Sequence, residues 1–167
     1  YSGAKGQYEE TDVCDATDVY ARTKMLVPED VTVIRTSVIG EDLNSDGVGF
    51  LQWLLKQEKV DGYTNCMWNG MTALQLAKII ETIIKSCELW KGVRHVYSKD
   101  SISKHDLCTY VAEIYKMTVS IKPVKAASIS GTEIDSILDR TLSTRYTPYD
   151  TDTIYNQIVE MEGYDLK

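Results

Sequence analysis

Tyr20-Ala21-Arg22-Thr23-Lys24 sets a phenol and an ammonium four residues apart, which makes them neighbours on one face wherever that segment is helical. A tyrosine with an ordinary pKa of about 10 exchanges protons poorly at neutral pH, and a cation beside it stabilises the phenolate and brings the group toward the range of general acid–base catalysis. The spacing alone is weak. Eleven tyrosines and thirteen lysines in 167 positions give about one chance occurrence of Tyr-x-x-x-Lys, and the chain has two. The other, Tyr1 to Lys5, straddles Gly3 and abuts Gly6, so it reads as a loop in which the side chains need not meet. On spacing alone, a solvated pair without a catalytic task is the better reading of Tyr20 and Lys24 too. Metal chemistry is not expected: two histidines, His95 and His105, and four cysteines with no Cys-x-x-Cys pair do not make a zinc-ligand pattern. The cysteines read as small structural side chains.

The elements that must carry these residues alternate between helix and strand. Residues 1 to 16 read as a surface loop, Thr17 or Asp18 caps a helix beginning near Val19, and Pro28 ends it early. The β-branched run 31–39 reads as one strand of a mainly parallel sheet, buried on both faces and closed by Gly40. Phe50 to Leu55 form a short helix, and Lys59 to Thr64 turn back toward the surface around Gly62. Thr72 caps a helix in which Leu76, Ile79, Ile80, Ile83 and Ile84 share a face, and Gly92 breaks to a strand at 93–97. Ser103 precedes a second amphipathic helix carrying Leu107, Tyr110, Val111, Ile114 and Tyr115; residues 119–124 alternate like a strand. Residues 125–150 are irregular, and Thr151 or Asp152 opens a last helix. The fold class is α/β.

With 43% hydrophobic and 26% charged residues, 167 positions suffice for a buried core, which excludes a disordered chain. Apolar runs of a few residues fall far short of the roughly 18 that span a bilayer, so no membrane helix is expected. A net charge of -7 repels phosphodiester backbones and argues against bulk nucleic-acid binding. Four thiols in this composition fit a reducing cytoplasm. Tyr1 to Gly6 offer neither an initiator Met nor a signal core and read as an interior piece of a longer protein.

Neighbouring segments alter the reading of the Tyr-Lys pair. Ser2-Gly3, the acidic loop Tyr8-Glu9-Glu10-Thr11-Asp12, Tyr20 to Lys24 and the strand Val33-Ile34-Arg35-Thr36-Ser37-Val38-Ile39-Gly40 follow in an order that resembles the middle of an extended short-chain dehydrogenase/reductase. Within that superfamily the chain is most similar to the nucleotide-sugar branch typified by dTDP-4-dehydrorhamnose reductase. Asn69-Gly70-Met71-Thr72 resembles that branch's Gly-x-Pro-Thr segment, and Asp139-Arg140-Thr141-Leu142-Ser143 its Arg-Pro-x-x-Ser stretch without the proline. The resemblance extends over essentially the whole chain. It implies a Rossmann-like fold and hydride transfer from NADH or NADPH to a 4-keto-6-deoxy nucleotide sugar, and a homodimer is compatible with it. Tyr20 would then exchange the proton, and Lys24 would lower its pKa and hold the cofactor ribose. Thr36 and Ser37 would pass the nicotinamide; Arg140, Arg145 and Asn69 would belong to the substrate side, the arginines facing the diphosphate.

Two departures accompany the matches. No Gly-x-x-Gly-x-x-Gly follows a strand, so the resemblance implies the C-terminal part of such a protein, its first strands and glycine-rich loop missing. Residues 1–40 would end the dinucleotide-binding domain, 41–167 would be mainly substrate-binding, and the isolated piece would be inactive. Only Met25 to Asp30 separate Lys24 from the strand, whereas the family helix continues for several turns. The short helix favours an alternative, a non-catalytic binding subunit of the same fold like the regulatory subunit of methionine adenosyltransferase; the intact Tyr20 and Lys24 oppose it.

Overall fold

The computed structural model describes residues 1–16, 18–28, 30–42, 47, 49–126 and 136–164. Thr17, one of the two expected caps, and the centre of the 125–150 segment lie outside the described residues. In chain order the elements are α1 (Val19–Thr23), β1 (Thr32–Arg35), β2 (Val38–Ile39), α2 (Phe50–Leu55), β3 (Lys59–Tyr63), β4 (Cys66–Trp68), β5 (Met71–Thr72), α3 (Ala73–Ser86), β6 (Gly92–His95), β7 (Ile102–Ser103), α4 (Lys104–Ile114), β8 (Ser120–Val124), β9 (Leu138–Asp139) and α5 (Ile154–Glu162).

The 31–39 run is not one buried strand. Its first half, β1, pairs in parallel with β6, and its second half, β2, pairs in parallel with β5. The exchange of partners falls at two residues: the Arg35 carbonyl accepts the Val96 N–H (3.1 Å), and the Ser37 carbonyl accepts the Met71 N–H (2.9 Å). Every residue of β1 is half-buried, and Val31 and Val38 are exposed. Among the described residues no strand pairs with the second edge of β1, so both-sided burial is not reached. The fork opens a crevice at the carboxyl end of β1, where open α/β sheets hold ligands. Gly70 permits it: a Cβ there would run into the Ser37 carbonyl and the Trp68 ring.

Lys59 to Tyr63, expected to turn at the surface, form a strand paired in parallel with β8 over five residues. Val60 and Gly62 point inward and their neighbours outward, the two-residue alternation of a half-buried strand. β4 lies between antiparallel β7 and parallel β9. The larger core gathers Leu51, Leu54, Val60, Trp68, Leu107 and Ile158 around these sheets; a smaller one joins Met71, Ile79, Ile83 and Val96 beneath β1 and β6. Residues beyond 40 thus contribute to both.

Helix ends follow local chemistry. Thr72 accepts the Gln75 N–H (3.2 Å) and Ser103 the Asp106 N–H (3.0 Å), as their sequence positions imply. The last helix is capped by Thr153 rather than Thr151 or Asp152, because Thr151 donates to the Tyr97 carbonyl instead (3.2 Å). The 1–16 segment is more than a surface loop. Tyr8 is buried and bridges to Leu142, and its phenol oxygen accepts the Gly3 and Lys5 N–H groups (both 3.1 Å). Gly6, at φ +73°, packs against Asp139 where a Cβ would collide. No described helix is long and apolar enough to cross a membrane.

Candidate active site

A cleft of about 420 Å³ opens at the fork, bounded by α1, by the ends of β1 and β4, by the start of α4 and by Leu138 and Arg140. It brings together four residues singled out in the sequence: Tyr20, Lys24, Ser37 and Arg140. Asp18 starts α1 by accepting the Ala21 N–H (2.8 Å), and the helix stops at Thr23 with no buried residue, five positions before Pro28. Tyr20 is 73% exposed. The Lys24 ammonium lies over its ring, 5.2 Å from the centroid, and so does not cover the hydroxyl edge.

Ser37 sits in the break between β1 and β2, where its carbonyl accepts the Met71 N–H. Arg35 and Ser37 line the cleft, whereas Ile34, one residue back in β1, packs on the smaller core. Thr36, expected beside the nicotinamide, is not in the cleft wall. The Trp68 indole N–H donates to Ser37 Oγ (2.7 Å), which orients the hydroxyl and leaves its proton free for another acceptor.

Arg140 donates through Nε to the Ser2 carbonyl (3.1 Å) and keeps the rest of its guanidinium for the cleft. Arg145 is elsewhere. It is exposed, donates to the Tyr146 hydroxyl (2.9 Å) and does not line the cleft. Asn69 is buried, and its amide clamps the Leu142 backbone by giving to the carbonyl (2.8 Å) and accepting from the N–H (2.9 Å). Both ends of that side chain are committed to holding the 138–143 segment against β4.

Sequence reasoning missed several lining residues. Arg35 carried a signal, a charged side chain inside a β-branched run; it donates to the Tyr1 hydroxyl (2.9 Å). Behind it lies His95, 2% exposed, whose Nδ1 faces the carbonyls of Tyr8 (2.9 Å) and Ser143 (2.8 Å). Two acceptors there require an Nδ1–H donor, so Nε2 presents its lone pair toward Tyr1 and Arg35. Burial holds this imidazole below the usual histidine range against the opposing pull of the Ser143 carbonyl and Glu10. Lys104 and Trp68 gave no sequence signal. Cys14 and Cys66 also line the cleft, and burial pushes the Cys66 thiol up despite Arg140 and Lys104 nearby.

In charge the cleft is the inverse of the chain. Among the described residues, Lys24, Arg35, Lys104 and Arg140 face it against one carboxylate, Asp18, in a protein whose net charge is -7. A small cationic crevice beside an accessible phenol suits an anionic substrate on which a proton is exchanged.

The parallel pairing, the fork and a cleft at the carboxyl end of β1 define a Rossmann-like α/β architecture. Solved dTDP-4-dehydrorhamnose reductases share this architecture. The chain is similar to a dTDP-4-dehydrorhamnose reductase from Yersinia enterocolitica (TM-score 0.69, 17% identity, 98% of this chain and 62% of that one). It is similar to another from Bacillus anthracis in complex with NADP (TM-score 0.67, 14% identity, 96% and 60%). A third similar structure is MoeE5 in complex with UDP-glucose and NAD (TM-score 0.64, 14% identity, 98% and 60%). The chain spans about 60% of the length of these proteins. No family model and no curated protein sequence matches it.

Proposed function

We propose that the cleft is the substrate side of a nicotinamide-dependent reductase, or epimerase/reductase, acting on a 4-keto-6-deoxy nucleotide sugar. The observation that carries this is the convergence of Tyr20, Lys24, Ser37 and Arg140 on one cationic cleft at the carboxyl end of β1. The Tyr20 hydroxyl gives its proton to the carbonyl oxygen of the keto sugar, and Lys24 holds the phenol ring from its face. Ser37, pinned by Trp68, donates a hydrogen bond through its hydroxyl to the same oxygen and keeps its proton. Arg140 takes the diphosphate. When bound, the reduced nicotinamide supplies the hydride to the carbonyl carbon. Lys24 and Ser37 suit the nicotinamide-ribose end of such a cofactor, either NADH or NADPH. Its pyrophosphate would need a glycine-rich turn at a helix start, which is not among the described residues.

The test is nucleotide-sugar-dependent oxidation of the reduced nicotinamide by the protein carrying a complete dinucleotide-binding half. Tyr20→Phe keeps the ring and removes the proton, and turnover should fall by about 10² to 10⁴. Activity within a few-fold of the parent would remove Tyr20 from the chemistry.

A second reading, a non-catalytic binding subunit of the same fold, is favoured by α1, whose five residues include none that is buried. It expects nucleotide-sugar binding without turnover in that same protein, and no response of binding to Tyr20→Phe.

A further inference from the structure

Lys104 opens α4 directly after the Ser103 cap and reaches into the cleft, with its ammonium 5.0 Å from the centroid of the Trp68 ring. Arg140 lies close enough for the two charges to repel, and the thiols of Cys108 and Cys66 are the other groups acting on Lys104. Among the described residues neither cation has a carboxylate partner, although five other lysines do. Two like charges, Lys104 half-buried and Arg140 exposed at the cleft, sit side by side without a carboxylate to offset them, an arrangement that an entering anion relieves. Trp68 ties the place to the chemistry: the ring under Lys104 is the one whose N–H holds Ser37.

We infer that Lys104 and Arg140 together form a phosphoryl-binding site on the floor of the cleft, with Lys104 a substrate-binding residue held in place by the face of Trp68. The inference rests on the proposed nucleotide-sugar reading for the identity of the ligand, and the geometry of the pair stands apart from any hydride chemistry. Lys104 supplies a point charge and Arg140 a fork, so one phosphoryl group is gripped from two sides while the sugar extends toward Ser37 and Tyr20.

Isothermal titration of sodium pyrophosphate, thymidine diphosphate and thymidine into the protein and its Lys104→Met and Lys104→Arg variants tests this. Lys104→Met keeps the stem on Trp68 and should weaken both phosphate ligands about ten- to hundredfold, with thymidine unaffected; Lys104→Arg should recover part of the loss. Should Lys104→Met fail to fold, amine-reactive labelling of Lys104 in the parent, read by mass spectrometry, should slow severalfold when pyrophosphate is present. A parent that does not bind pyrophosphate, parental affinity in Lys104→Met, or labelling indifferent to pyrophosphate would overturn the site. Weakened pyrophosphate binding in Lys104→Met, together with no turnover of a nucleotide sugar by the protein carrying a complete dinucleotide-binding half, would sink the reductase reading and leave the anion site standing. Turnover with unchanged pyrophosphate affinity would do the reverse.

Discussion

Ser37→Ala removes the acceptor of the Trp68 indole N–H, a 2.7 Å bond from a side chain that is 5% exposed. An orphaned buried donor costs roughly 1 to 3 kcal/mol, and the lower half of that range applies here because Ser37 is itself exposed at the cleft, where water replaces part of what is lost. In a chain of this length about 1 to 2 kcal/mol lowers the thermal midpoint by about 2 to 8 °C. The loss should vanish in a background without the donor. In Trp68→Phe, which keeps an aromatic ring in the core and lacks the N–H, adding Ser37→Ala should cost a few tenths of a kcal/mol at most. The four proteins form a double-mutant cycle whose coupling is the bond itself. Thermal unfolding followed by circular dichroism measures it, and tryptophan emission reports independently on the Trp68 environment. Equal losses for Ser37→Ala in both backgrounds would refute the argument that this bond orients Ser37, and with it the account of how the cleft floor meets the proton-exchanging pair.

Arg140→Ala should weaken nucleotide-sugar binding about ten- to hundredfold and leave nicotinamide affinity nearly unchanged, with Arg140→Lys recovering part of it; calorimetry showing equal losses for both ligands would mean general destabilisation. His95 is held neutral by burial, so the unfolded chain takes up its proton first as the pH falls below about 6.5, and stability present above that pH is lost below it. The thermal midpoint should therefore fall between pH 7.5 and about 5.5, and His95→Gln should flatten that slope; parallel slopes would show that another group carries it. Val31, Val38, Leu26 and Val19 are exposed, and no described strand covers the second edge of β1, so this 167-residue chain on its own should self-associate, and a monodisperse monomer in light scattering would contradict that.

What could be read along the chain is what is decided within a turn or two of it. Thr72, Ser103 and Asp18 cap helices because a short oxygen-bearing side chain reaches an N–H three residues on, whatever the rest of the protein does. The 3.6-residue period put Ile79 and Ile83 on the buried face of α3. The four-residue spacing of Tyr20 and Lys24 became a ring–ammonium contact because it needs one helical turn, and one turn is what α1 provides. Pairing between distant segments was not legible. Nothing local says that 31–39 changes partners between Arg35 and Ser37, since β5 and β6 lie more than thirty residues away, or that Gly62 sits in a strand opposite Pro123. For the same reason the roles of single residues diverged from their motifs. Asn69 spends its amide on Leu142, and Thr36, in the break between β1 and β2, does not line the cleft that Ser37 lines. Lys104, without a motif, is carried to the cleft by β7 pairing with β4. The residue types that do the chemistry are local facts, but the cleft that assembles them exists only where strands from distant parts of the chain diverge.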